Sequence, residues 1–138
     1  MFKIYNKYGF DTFNFKGYEV MIMKYSDIIC SVNDIETIRV NQQFMNLDHN
    51  TQKFILYHEL GHIQYGHNKQ SYKLNMKNKR KRKLYNIIGL VPKEEIQADL
   101  YAAKMLGKEN ALKALQDSLN ILKGKEFRIR KMLVKIFG

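Results

Sequence analysis

One cysteine, one proline and no tryptophan occur among the 138 residues. The single thiol, Cys30, excludes an internal disulfide framework and fits a reducing compartment, so a cytoplasmic location is expected. No apolar run approaches the roughly 18 residues that a membrane span needs. The opening MFKIYNKYGF has no signal-peptide character either. Acidic residues are also scarce, 13 against 24 Lys and Arg, giving a formal net charge of +11. Such a surplus points first to nucleic acid, an anionic surface or an acidic protein. The remaining composition, 45% apolar and 27% charged, is that of an ordinary globular chain. Its length fits one compact domain able to bury about two-thirds of its unfolded surface.

The positive charge is concentrated. Lys69, Lys73, Lys77, Lys79, Arg80, Lys81, Arg82 and Lys83 occur between Gly66 and Tyr85 without an acidic residue among them. A second basic stretch runs from Lys123 to the end, with Glu126 as its one acidic residue. The rest of the chain is close to neutral. Lys79, Arg80, Lys81, Arg82 and Lys83 are candidate contacts for nucleic acid or a protein partner, with steep salt dependence if they meet phosphates. No aromatic interleaving or helix-turn-helix signal accompanies them, and a solvated loop is the simpler reading.

The pattern along the chain predicts an α+β fold. Over residues 1–47 strands dominate: Phe13, Phe15, Tyr18, Val20 and Ile22 alternate with polar neighbours and break at Gly17. Ile28–Val32 and Ile35–Val40 follow, separated by Asn33-Asp34, and can form a hairpin. A small, three-stranded antiparallel sheet is expected. Residues 48–66 read as a helix capped by Asp48 and stopped at Gly66. A basic loop occupies 67–91. Pro92, Glu94 and Glu95 suit the start of a helix over 92–107, ending at Gly107. Two more helices fill 108–138, the last with Phe127, Ile129, Met132, Leu133 and Ile136 as its apolar face. That face fits core packing, with a membrane surface or partner helix as the other use.

The chemistry lies in His58-Glu59-Leu60-Gly61-His62, in the middle of the first long helix. Residues four apart are one turn along and only about 40° around, so both imidazoles project from one face. They can share one tetrahedral Zn²⁺. Glu59 cannot join that face as a ligand, but it can reach a water on the metal as general base. Gly61 costs about 1 kcal/mol against Ala inside a helix, so close approach of another backbone is expected there.

A third ligand is required. Cys30 falls in an apolar strand, and His49 is too far along the helix. His67 is turned about 140° from His62 if the helix continues, unless a loop beyond Gly66 redirects it. The better candidate is Glu95 in Glu95-Ile96-Gln97-Ala98-Asp99. Asp99, four residues on, can accept the free ring N–H of a zinc-bound histidine. The alternative is that Glu94, Glu95 and Asp99 only form a solvated first turn.

HELGH followed by EIQAD resembles the gluzincin metallopeptidases. Within that group the chain is similar to the small ImmA/IrrE peptidases; the membrane CAAX-processing peptidases share an EFQAD-like motif but carry spans. The resemblance covers roughly residues 35–107. It implies a zincin-type helical core, zinc ligands His58, His62 and Glu95, base Glu59, and support from Asp99. It also implies a soluble endopeptidase whose protein substrate is a transcriptional repressor in a mobile-element or stress switch. Strand Ile35–Val40 could present an edge to an extended substrate. Tyr57, Tyr65 and Tyr101 lie near the motifs, and the sequence does not choose an oxyanion-stabilising group among them. The competing function is a basic nucleic-acid-binding or repressor-docking module with a structural or degenerate metal site.

Overall fold

The apolar alternation from Phe13 to Ile22 builds a meander. In the computed structural model, which describes residues 2–26, 28–33, 35–68, 86–87, 91–122 and 125–138, strands β1 (Tyr5–Lys7), β2 (Phe10–Phe15) and β3 (Tyr18–Met23) are successive antiparallel neighbours. Lys16 and Gly17 link β2 to β3 with φ of 52° and 86°. Positive φ at both central residues matches the turn to the strand twist, and glycine takes the second position without a Cβ penalty.

Strands β4 (Cys30–Val32) and β5 (Ile38–Asn41) form the expected hairpin, and β5 then lies parallel to β3. The sheet is therefore five-stranded and mixed, in the order β1-β2-β3-β5-β4, rather than three-stranded and antiparallel. Two causes account for the difference. β1 is short and largely exposed, with no alternating apolar signature. The parallel pairing joins residues far apart in sequence, which no local pattern encodes. A further correction concerns the substrate edge. β5 is flanked on both sides, and its Ile38 and Val40 are fully buried, so among the described residues the sheet edge near the helices is β4.

One face of this sheet, carrying Phe13, Phe15, Val20, Ile22, Ile38 and Val40, contributes to the main core. A short helix α1 (Gln42–Met45) leads to α2 (His49–Gln64). Asp48 caps α2, accepting from the Thr51 amide at 3.1 Å and the Thr51 hydroxyl at 2.6 Å. Phe54, Leu56, Tyr57, Leu60 and Ile63 are all buried, as is expected of a helix enclosed on several sides. The sheet lies on one side, where the Tyr57 ring meets Phe15 edge-on at 4.9 Å. On another lies α3 (Lys93–Leu106), followed by α4 (Lys108–Leu122) and α5 (Lys125–Phe137). Strands β6 (Asn86–Ile87) and β7 (Val91–Pro92) pair just ahead of α3. Lys79, Arg80, Lys81, Arg82 and Lys83 lie outside the described residues.

On α5 the buried face differs from expectation. Arg130, Leu133 and Val134 are buried, whereas Met132 and Ile136 are exposed. Side chains 130 and 134 share a helical face, and a guanidinium on that face has a specific use, described below.

Gly61 has the predicted role. A Cβ there would stand 2.9 Å from Ala98 Cα and 3.2 Å from the Ala98 carbonyl oxygen, so the backbones of α2 and α3 meet at this point. Gly61→Ala gains about 1 kcal/mol of helix propensity but forces the helices apart, at a cost of about 1–3 kcal/mol. Net destabilisation is expected, and Gly61→Val is expected to be worse. Urea-unfolding midpoints of the three proteins check this.

Candidate metal centre

α2 and α3 meet where each carries chemistry at i and i+4. His58 and His62 project from α2 toward Glu95 and Asp99 on α3, as the spacing requires. His58 Nε2 is 3.1 Å from His62 Nε2 and 2.8 Å from Glu95 Oε2, while His62 Nε2 is 3.3 Å from Glu95 Oε1. One ligand atom from each of His58, His62 and Glu95 lies within 4.8 Å of the others. Two imidazole nitrogens and a carboxylate converging this closely could hold a divalent ion. Two nitrogens and one carboxylate oxygen suit zinc.

The outer ring nitrogens are committed, which is why the Nε2 atoms face inward. His58 Nδ1 donates to Asp99 Oδ1 at 2.8 Å. Asp99, 1% exposed, also accepts two bonds from Arg130, Nε to Oδ2 at 2.6 Å and Nη2 to Oδ1 at 2.7 Å. Burial alone would raise the Asp99 pKa, but the Arg130 guanidinium and His58 hold it below the usual carboxylate value. The carboxylate is thus ionised and fixed as an acceptor. Sequence reasoning missed Arg130; its signal was an arginine in register with Val134 on the buried face of α5.

His62 is oriented by a second route. α2 ends with Gly66 at φ 72°, its amide bonded to Ile63 O and the His67 amide to His62 O. This glycine-centred stop folds residue 67 back over the last turn. His67 Nδ1 then sits 2.9 Å from His62 Nδ1, and His67 Nε2 sits 2.9 Å from Gln97 Oε1. Burial, then the charge of His62, pushes the His67 pKa down, so the ring is neutral. With its Nε2–H given to Gln97, its bare Nδ1 accepts from His62 Nδ1–H. The Gly66 loop does redirect His67, but to the back of His62 rather than to the ligand group. Gly66 followed at once by histidine was the legible signal; Gln97 had none.

Glu59 is buried and shares a cavity with His58 and Glu95. Burial raises its pKa, opposed by His58 and His62, so its carboxylate is poised to accept a proton. Cys30, half-buried, also lines the cavity, its thiol pKa pushed well up by burial and by Glu59, and it lies outside the ligand group. His49 is exposed at the start of α2, its ring 5.2 Å from that of Phe2.

In the metal-free protein, burial pulls the His58 pKa down, but Asp99 and Glu95 outweigh it and hold the value up to about 10. For Glu95, burial acts upward, and hydrogen bonds from His58 and His62 keep it well below the usual range. The folded pKa of His58 exceeds its unfolded value of 6.5, so its contribution to stability is complete below pH 6.5 and is lost toward pH 10. Urea unfolding in chelator is therefore expected to show stability falling across that interval. His58→Gln should flatten the fall.

Residues 30–137 match the family model described as Peptidase U49. No curated protein and no solved structure matches the chain significantly. The matched span begins at the first residue of β4 and takes in α2, α3 and all of α5, hence His58, Glu59, His62, His67, Glu95, Gln97, Asp99 and Arg130.

Proposed function

The chain belongs to the Peptidase U49 family, and from that premise we propose that it is a zinc-dependent endopeptidase. The observation that carries the reading is the inward convergence of His58 Nε2, His62 Nε2 and a Glu95 carboxylate oxygen, each histidine locked from behind. In this reading His58, His62 and Glu95 hold one Zn²⁺ per chain. Bound there, the ion supplies Lewis acidity, which lowers the pKa of water and polarises a carbonyl. Glu59 takes the proton of the attacking water and delivers it to the leaving amine. Asp99 and Arg130 hold His58, and His67 and Gln97 hold His62.

The edge of β4 offers main-chain hydrogen bonds to an extended peptide beside α2. Its residues Cys30–Val32 replace Ile35–Val40 as the strand on which substrate would align. The resemblance of HELGH and EIQAD to the ImmA/IrrE peptidases supports a transcriptional repressor as the target and a cytoplasmic setting. No helix among the described residues is long and apolar enough to cross a membrane.

The test is to incubate the purified protein with a co-encoded repressor while measuring metal content on the same samples. One zinc per chain and discrete cleavage products are expected. Absence of both sinks the reading. The His67 relay has its own consequence. His67→Phe removes the acceptor for His62 Nδ1–H and is expected to weaken zinc binding about 10- to 100-fold, measured by competition with a chromophoric chelator. His67→Gln, which keeps an acceptor, should recover part of the loss.

A further inference from the structure

Beside the ligand group lies a cavity of about 190 Å³, to whose lining His58, Glu59 and Glu95 contribute. We propose that it receives an apolar side chain of the substrate, from one of the two residues flanking the scissile bond. The inference rests on the peptidase reading and adds the class of residue that the site selects.

Three observations lead there. The first is the lining. Ile29 and Cys30 by the sheet edge and Phe54 and Ile55 of α2 supply an apolar part of that lining. The second is that, apart from Glu59 and the ligand group, the polar groups lining the cavity are engaged. Ser118 Oγ donates to Ala114 O at 2.8 Å, and Arg130 gives Nε and Nη2 to Asp99. A charged or amide side chain entering here would lose water and meet donors already in use, which disfavours it. The third is size and place. A dry cavity of about 150 Å³ lined by aliphatic and aromatic side chains accommodates benzene, so this one can take Leu, Ile, Met or Phe. Ile29 precedes and Cys30 opens β4, the edge strand among the described residues. A peptide paired along that edge therefore brings its backbone to Glu59 and a side chain to the cavity together.

The experiment digests a mixed peptide library with zinc-loaded wild type, Cys30→Phe and Ile55→Phe, and reads cleavage sites by mass spectrometry. Wild type is expected to require a large apolar residue at one fixed position next to the cut. Leu→Ala at that position in a peptide should lower kcat/KM about 10- to 100-fold. Cys30→Phe fills the cavity from the sheet and should reverse the preference toward Ala and Gly, with zinc content unchanged. Ile55→Phe fills it from the helix and gives a second reading should the first variant fail to fold. Cleavage by wild type without an apolar preference on either side of the bond overturns the proposal and leaves the peptidase reading standing. So does an unchanged profile in a folded, zinc-loaded variant. No cleavage by zinc-loaded wild type overturns both.

Discussion

Glu59→Gln is expected to keep its zinc and its fold and to lose peptide cleavage by at least a hundredfold. The substitution preserves shape and removes only the capacity to accept a proton. Positioned acid–base catalysis contributes about 10²–10⁴ in rate, and among the described residues near the site no other carboxylate is placed to stand in. Among the described residues near the site, Glu95 bonds to both ligand histidines and Asp99 is saturated by His58 and Arg130. Glu59 is the buried carboxylate in the cavity lining that lies outside those pairs, with its pKa raised by burial. Product formation by chromatography and zinc by atomic emission, measured on one preparation, decide the matter. Wild-type turnover by a zinc-loaded Glu59→Gln protein would end the proposed mechanism.

Arg130→Met should have the largest effect on stability. Asp99 is 1% exposed and the Arg130 side chain 9%, so neither charge can turn to water. Removing the guanidinium deletes two short hydrogen bonds and strands a carboxylate against His58 alone. Breaking one partner of such a pair costs about 3–5 kcal/mol, because the remaining charge stays buried. Urea unfolding should register this loss, whereas Arg128→Met, at an exposed position two residues away, should change little. The double variant Asp99→Leu, Arg130→Met separates stability from chemistry. Without a stranded charge it should recover much of the folding free energy, yet still bind zinc weakly, since His58 has lost the acceptor that orients it. Recovery of full zinc affinity would show that His58 needs no such partner.

Much of the helical half was legible because its signals are local. Asp48 stands where a cap must, and Gly66 and Gly107 stand where helices stop. His58 with His62, and Glu95 with Asp99, recur at the one interval that a helix places on a single face. The strand pattern was clear for β2 and β3 and for the β4–β5 hairpin, where alternation and turn residues agree. It failed for β1, whose residues are largely exposed, and for the β3–β5 pairing. There Val20 meets Ile38 through backbone bonds that any residues can make.

By itself, the sequence determined the helix that carries HELGH and the carboxylates that meet it, and it singled out Glu59 as the candidate base beside them. Periodicity and capping act over a few residues and leave their mark in consecutive letters. Tertiary structure alone decided that β4 is the sheet edge near the helices among the described residues and that Arg130 is the counterion behind His58. It also decided that His67, turned back by Gly66 and held by Gln97, orients His62. Those partners are separated by 31 residues between Asp99 and Arg130 and by 30 between His67 and Gln97. At such distances no local preference operates. A buried charge or ring nitrogen takes whichever partner the packed helices bring within reach, and that choice exists only once the core has closed.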